Sequence, residues 1–182
     1  MFQVKRKSNI DIGTIYFWTA TINQWQHLLK EDDYKEVIIS SLQFLSITGK
    51  IDVFAFIIMP NHIHLIWRMN EMNGKESPHS SFLKFTAHHF KHMVQTGKSL
   101  NLETFAVKAP NKAYEFWQRD SLAIPLFTKK VALQKLNYLH NNPLAEHWNL
   151  VHHPCDYRYS SAPYYERDQK HYEFLKDLWE EF

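Results

Sequence analysis

The sequence predicts an α+β fold: a four-stranded antiparallel sheet with helices on one face, the ferredoxin-like βαββαβ arrangement, followed by a further helix and a C-terminal tail. Three observations predict it. Short runs rich in β-branched and aromatic residues alternate with longer stretches whose apolar residues recur at helical spacing. The apolar run Val53 to Met59 and the segment His62 to Arg68 are separated only by Pro60-Asn61, which is hairpin chemistry. Hydrophobic residues make up 45% of the 182 and aromatic residues 15%, with only 4 Gly, a composition that fills a dense core and excludes a disordered chain.

Ile15 to Ile22, rich in β-branched and aromatic residues, reads as the first strand, internal to the sheet. After a loop from Asn23 to Glu31, Asp32 or Asp33 caps a helix carrying Tyr34, Val37, Ile38, Ser41, Leu42 and Leu45 at helical spacing, and Gly49 ends it. The uninterrupted apolar run Val53 to Met59 is the pattern of a strand covered on both faces, paired with His62 to Arg68.

Glu71 to Ser80 is a polar loop, and Ser80 or Ser81 caps a helix through Phe82, Phe85, His89 and Met93 to Gly97, with Lys84 and Lys91 off its stripe. Asn101 to Asn111 carries the weakest signal. Tyr114 to Arg119 reads as the fourth strand, and Thr128 caps a helix from Lys129 to about Asn142, stopped by Pro143. The aromatic-rich tail ends in a helix over Asp168 to Glu180. The length fits one domain over 1–182, with a core at about 15–145 and a C-terminal extension at about 146–182.

A net charge of +2 permits contact with nucleic acid but does not specify it, and the basic tip Lys5-Arg6-Lys7 is a polyanion contact or a solvated end. No stretch has the length and apolarity of a membrane span. With Cys155 as the only cysteine, neither a disulfide framework nor a cysteine-based zinc site can form, which suits the reducing cytoplasm.

The chemistry-bearing residues fall in two places. In His62-Ile63-His64 the imidazoles are two apart, so strand alternation puts both on one face, within reach of one cation, while Ile63 and Leu65 point into the core. Twelve histidines in 182 residues produce such pairs by chance, so the pair alone does not establish a metal site. On the Thr128–Asn142 helix, Ala132, Leu133, Leu136 and Leu139 share an arc of about 120° that faces the core. Tyr138, Asn142 and Gln134 lie opposite. Tyr138 and Asn142 are i and i+4, so a phenol and a carboxamide share one surface, although a residue before proline resists α geometry.

Met59-Pro60-Asn61-His62-Ile63-His64-Leu65-Ile66 followed by Tyr138-Leu139-His140-Asn141-Asn142-Pro143-Leu144 resembles the single-tyrosine HUH transposases of the IS200/IS605 type, most of all their domesticated REP-associated branch. Phe116-Trp117-Gln118-Arg119 and Tyr159-Ser160-Ser161-Ala162 resemble that branch too, and the likeness spans roughly residues 15 to 162. It implies that His62 and His64 are the metal-binding histidines, Tyr138 the nucleophile and Asn142 the third ligand, where many relatives carry glutamine. It further implies cleavage and rejoining of single-stranded DNA beside hairpins through a 5′-phosphotyrosine, by a monomer or a homodimer.

Two imidazoles and a carboxamide add no negative charge, so the expected cofactor is Mg²⁺ or Mn²⁺. The side chains expected to touch DNA are Arg68, Lys84, Lys91, Gln118, Arg119 and Lys135, with Trp117 as a stacking platform. Two rival readings are a histidine-based metal hydrolase, which needs no Tyr138, and a domesticated regulator that binds structured nucleic acid with little turnover.

Overall fold

A computed structural model describes residues 10–97, 100–119 and 121–182; the basic tip Lys5-Arg6-Lys7 lies outside them. The elements relevant to the site are β1 (Ile15–Thr21), α1 (Asp32–Ile47), β2 (Ile51–Ile58), β3 (His62–Met69), α2 (Pro78–Thr96), β4 (Ala106–Ala109), β5 (Lys112–Tyr114), β6 (Leu122–Pro125), α3 (Lys129–Asn141) and α4 (Ala162–Arg167). Strands β2-β3-β1-β6 form an antiparallel sheet in that order, the ferredoxin-like topology, and β4-β5 form a separate small ribbon.

Strand alternation divides the core in two. From β1 and β3, Tyr16, Trp18, Ile63, Leu65 and Trp67 face α1 and α2, where they meet Ile38, Leu42, Phe82 and Phe90. Ile15, Phe17 and Ile66 face the other side, beneath Ala132, Leu136 and Leu139 of α3 and Leu178 of the tail. A register shift between Val53 and Ala55 puts both Phe54 and Ala55 on the α3 side, as a β-bulge does. Each of the large side chains removed from water, Trp18, Trp67, Phe54 and Phe82 among them, stabilises the fold by about 1.5–3 kcal/mol.

The β2–β3 hairpin turns at Pro60-Asn61, closed by Met59 N–H donating to the His62 carbonyl at 2.8 Å. Thr128 caps α3 as expected, its hydroxyl accepting from Val131 N–H. The free edge of β2 is covered by the segment before α4: Ile58 N–H donates to Tyr159 O, and Ser161 N–H to Phe56 O, each at 3.0 Å.

Five expectations are corrected. The fourth sheet strand is Leu122–Pro125, not Tyr114 to Arg119; of the latter, Tyr114 ends β5 and Trp117 makes a single bridge to Ile22. Pro78 starts α2 with Ser77 at its N-cap, and the buried stripe is Phe82, Thr86, Phe90 and Val94, leaving Phe85 and His89 exposed. Glu31, not an aspartate, is the N-cap of α1, and Asp32 and Asp33 occupy its first turn, facing the helix dipole. Leu133 is 46% exposed, because the buried face of α3 runs through Ala132, Leu136, Leu139 and His140. The tail forms no helix over Asp168 to Glu180: Asp168 ends α4 in left-handed geometry, and only Leu178–Glu181 coils again, as a 3₁₀ turn.

Candidate active site

The strand register sets the site. His62 and His64 stand directly opposite Thr21 and Thr19 of β1, on the α3 side of the sheet, at the end of the strands that the hydrophobic part of α3 leaves open. Their rings are 4.7 Å apart. Both are buried, and each has its second nitrogen engaged. Asn61 donates an amide N–H to the Trp25 carbonyl at 3.4 Å, which leaves its Oδ1 to accept from His62 Nδ1 at 2.7 Å. His64 Nδ1 donates to Thr19 Oγ1 at 2.7 Å, and its Nε2 accepts from the Asn142 amide at 3.2 Å. In that tautomer each imidazole keeps an Nε2 lone pair for the cleft.

Burial is the main reason that both histidines stay neutral. It lowers His62 to about 4, helped by His147, and His64 to about 3, helped by the neighbouring charges of His62 and Lys135.

Tyr138 projects from α3 over this pair. Its ring lies 5.4 Å from that of His64 and 5.9 Å from Phe17, which itself stacks on His64 at 5.1 Å. The side chain is 54% exposed, so the hydroxyl is open to an incoming group. Asn142 keeps right-handed helical geometry (φ −55°, ψ −42°) despite Pro143, and the one-turn spacing from Tyr138 is preserved as the helix tightens into the 3₁₀ turn Asn142–Leu144.

These side chains line an open cleft of about 700 Å³, with Phe17, Thr19, Thr21 and Leu122 as floor and Trp25, His147 and Trp148 along the rim. Lys135 supplies the charge, its ammonium 5.0 Å from the Phe17 ring and 5.8 Å from that of Tyr138. No carboxylate is among the described residues that line it. A polyanion meets no repulsion from these side chains.

Of the expected DNA contacts, Lys135 alone joins the cleft. Lys84, Lys91 and Gln118 line a second groove, with His88, Lys112 and Tyr114, between α2 and the β4–β5 ribbon. There Lys91 sits 5.4 Å over the Tyr114 ring and Lys84 pairs with Glu76, while Arg119 pairs with Glu115 at 3.1 Å. Trp117 also borders this groove, but it is 6% exposed, wedged among Phe82 and Phe90 with its Nε1–H donating to Thr86 Oγ1 at 2.9 Å, so little of its ring is open for stacking. Arg68 lies at the opposite end of β3, held by Asp52 and Glu181 at 2.6 Å each. Of the C-terminal extension, His147 and Trp148 line the cleft, while the part beyond Pro163 packs behind α3 and along β2 and is not among the lining residues.

Sequence reasoning missed Thr19, Asn61, Trp25 and Trp148. Thr19 was legible as a cleft-facing position on the first strand, and Asn61 as the neighbour of His62. Trp25 offered no such signal: it reaches the rim through a turn in which it and Gln24 take positive φ (57° and 54°), a conformation unfavourable for a large side chain.

No protein-family model and no curated protein matches the chain. Among solved structures, one of a REP-associated tyrosine transposase bound to a REP hairpin matches 97% of this chain and 91% of that one, with a TM-score of 0.59 at 17% identity. A candidate transposase from Deinococcus radiodurans matches 78% of this chain and 97% of its own, with a TM-score of 0.42 at 12% identity. With the sheet order, the first of these shows that the chain has the fold of that REP-associated tyrosine transposase.

Proposed function

We propose that the chain is a metal-dependent single-stranded DNA endonuclease and strand-transferase that acts beside hairpin DNA, with Tyr138 as its nucleophile. The observation that carries this reading is the position of the Tyr138 ring, 5.4 Å from His64, over a cleft where two neutral imidazoles and a carboxamide converge and no described lining residue is a carboxylate.

The donor set fits a divalent cation. Two Nε2 lone pairs face the cleft, and the Asn142 amide that now contacts His64 presents its oxygen instead by rotating about its last bond. His62, His64 and Asn142 would hold Mg²⁺ or Mn²⁺, the nitrogen donors favouring Mn²⁺. Such an ion, when bound, polarises a phosphate and neutralises its oxygens.

The protein's own groups do the rest. The Tyr138 hydroxyl attacks phosphorus, forming the tyrosyl O–P bond as the bond to the 3′ oxygen breaks. The phenolic proton is released and the departing 3′ oxygen takes one up. Attack of a 3′-hydroxyl on the phosphotyrosine reverses the step, and supplying a different 3′ end transfers the strand. Lys135 faces the charge on the phosphate, while Trp25 and Trp148 at the rim offer stacking surfaces for unpaired bases. The basic groove holding Lys84, Lys91 and Lys112 suits the backbone of the adjoining hairpin. Because Tyr138 and His64 meet within one chain, a monomer carries every group named.

The test is incubation with single-stranded DNA flanked by a hairpin, in Mn²⁺, followed by denaturing electrophoresis. A covalent protein–DNA adduct that is absent from Tyr138→Phe is expected. Undiminished cleavage by that variant would mean a water nucleophile and the hydrolase reading. Tight binding with no cleavage at any metal concentration would mean a regulator.

A further inference from the structure

Away from the cleft, the turn 154–156 and α4 bring together three side chains of different donor chemistry: His153, Cys155 and Glu166. One donor atom from each lies within 4.8 Å of the other two. The Cys155 thiol donates to Glu166 Oε2 at 3.4 Å, and His153 Nε2 stands 3.7 Å from that same oxygen. The expectation from the sequence that no cysteine-based zinc site can form holds for a site of several thiolates; these three side chains instead bring one thiol together with two donors of other kinds.

The geometry points to a second metal site here, in which His153, Cys155 and Glu166 bind a zinc-type divalent ion with water as the fourth ligand. Donor atoms around tetrahedral zinc lie roughly 3.3–3.8 Å apart, given bonds of about 2.0–2.3 Å. Rotation of His153 and Glu166, half-exposed side chains, closes the remaining gap. A thiolate with an imidazole selects zinc, cobalt or cadmium over the hard Mg²⁺, so this site and the cleft take different ions.

The local chemistry has a place for the ion. The thiol proton is directed at the carboxylate, and the metal replaces it: Cys155 loses its proton to solvent as the sulfur–metal bond forms. Burial, then the Glu166 carboxylate, pushes the thiol above its usual range. Ligation through His153 Nε2 puts the ring proton on Nδ1 and gives up the bond that Nδ1 accepts from Cys155 N–H at 3.2 Å. That bond, at the upper end of the ordinary range, is replaced by the metal–nitrogen bond.

The two elements are already docked, with Arg167 of α4 3.6 Å from Asp156 of the turn. The ion is a staple for the extension. Its hold reaches the cleft side through Ser161, which precedes α4 and pairs with His140 of α3 at 2.9 Å.

The test is Co²⁺ titration of the full, reduced chain, followed by optical absorption, with thermal unfolding in Zn²⁺ in parallel. A near-ultraviolet thiolate-to-cobalt band saturating at one equivalent is expected, because the cleft contains no sulfur. Cys155→Ser should abolish the band and the Zn²⁺-induced rise in Tm; His153→Ala and Glu166→Gln should each weaken Co²⁺ binding by at least about 10-fold. Asn142→Ala, altered only in the cleft, should retain the band. The proposal is overturned if the folded wild type gives no band, or if both His153→Ala and Glu166→Gln keep full affinity. Loss of the band in a folded Asn142→Ala chain would overturn it equally, and none of these outcomes bears on Tyr138.

Discussion

Thr19 Oγ1 lies 2.7 Å from His64 Nδ1, on the strand position directly opposite, and fixes which nitrogen of that imidazole faces the cleft. A ring whose Nδ1 keeps its proton must present Nε2 as a lone pair, so Thr19 would act on the proposed metal site without touching the metal. Thr19→Val keeps the β-branched shape and removes the hydroxyl. It should weaken Mn²⁺ binding about 10–100-fold with little change in Tm, while Thr19→Ser keeps near wild-type affinity. Calorimetric titration reads both. Equal affinity in all three proteins would show that the hydroxyl does not set the tautomer.

Tyr138→Phe separates chemistry from stability. The side chain is 54% exposed and its hydroxyl makes no hydrogen bond among the described residues, so the substitution should change unfolding free energy by less than about 0.5 kcal/mol. Adduct formation should be lost while DNA binding persists. A drop in stability well beyond that range would show a structural hydroxyl and weaken any conclusion drawn from lost cleavage.

Trp117, which the sequence offers as the stacking platform, and Trp25, which the structure puts at the cleft, give a paired test. Trp117→Ala empties a buried site and leaves Thr86 Oγ1 without its donor, so it should destabilise by about 3–5 kcal/mol. Trp25→Ala removes a ring that is 59% exposed at the cleft rim; stability should hold, and affinity for single-stranded DNA should fall by about 1–3 kcal/mol. Fluorescence anisotropy at fixed salt decides between them. A Trp117→Ala chain that is fully stable but defective in DNA binding would restore the platform reading.

What could be read in advance follows from the range of the forces involved. Alternation along β3 and the helical wheel of α3 are local, so the sequence alone puts His62 and His64 on one strand face and takes Tyr138 and Asn142 off the apolar stripe of α3. The convergence of the four required the sheet order and the docking of α3, which local periodicity does not contain.

The fourth strand was misassigned because the β-rich composition of Tyr114 to Arg119 outweighs the four residues Leu122–Pro125. That short strand ends in Pro125, tolerated because it lies at a sheet edge. The tail failed for a different reason. Its helical spacing is real, but Tyr165 donating to Phe54 O, Lys176 N–H donating to Val53 O and the burial of Leu178 hold the backbone along β2 in other conformations. Tertiary contacts override propensity there.

Arg68 gives the last prediction, on stability and pH. It donates to Asp52, which is 4% exposed and also meets Lys176 at 2.6 Å. Burial pushes the Asp52 carboxyl up, but the hydrogen bonds from Lys176, Arg68 and Asn70 and the charge of Lys176 outweigh it and hold the group below its ordinary value. A carboxylate depressed on folding binds fewer protons folded than unfolded, so its contribution is complete above the unfolded value and is lost as pH falls through the folded one. Tm should therefore decline through the acidic carboxylate range, and Asp52→Asn should flatten that decline. Arg68→Met leaves a buried charge with one cationic partner fewer, and should destabilise by about 1–3 kcal/mol at neutral pH. DNA affinity, measured where the variant is folded, should not change, since the guanidinium is committed to Asp52 and Glu181 far from the cleft. A selective loss of DNA binding in Arg68→Met, with Tm intact, would return this arginine to the DNA-contacting set.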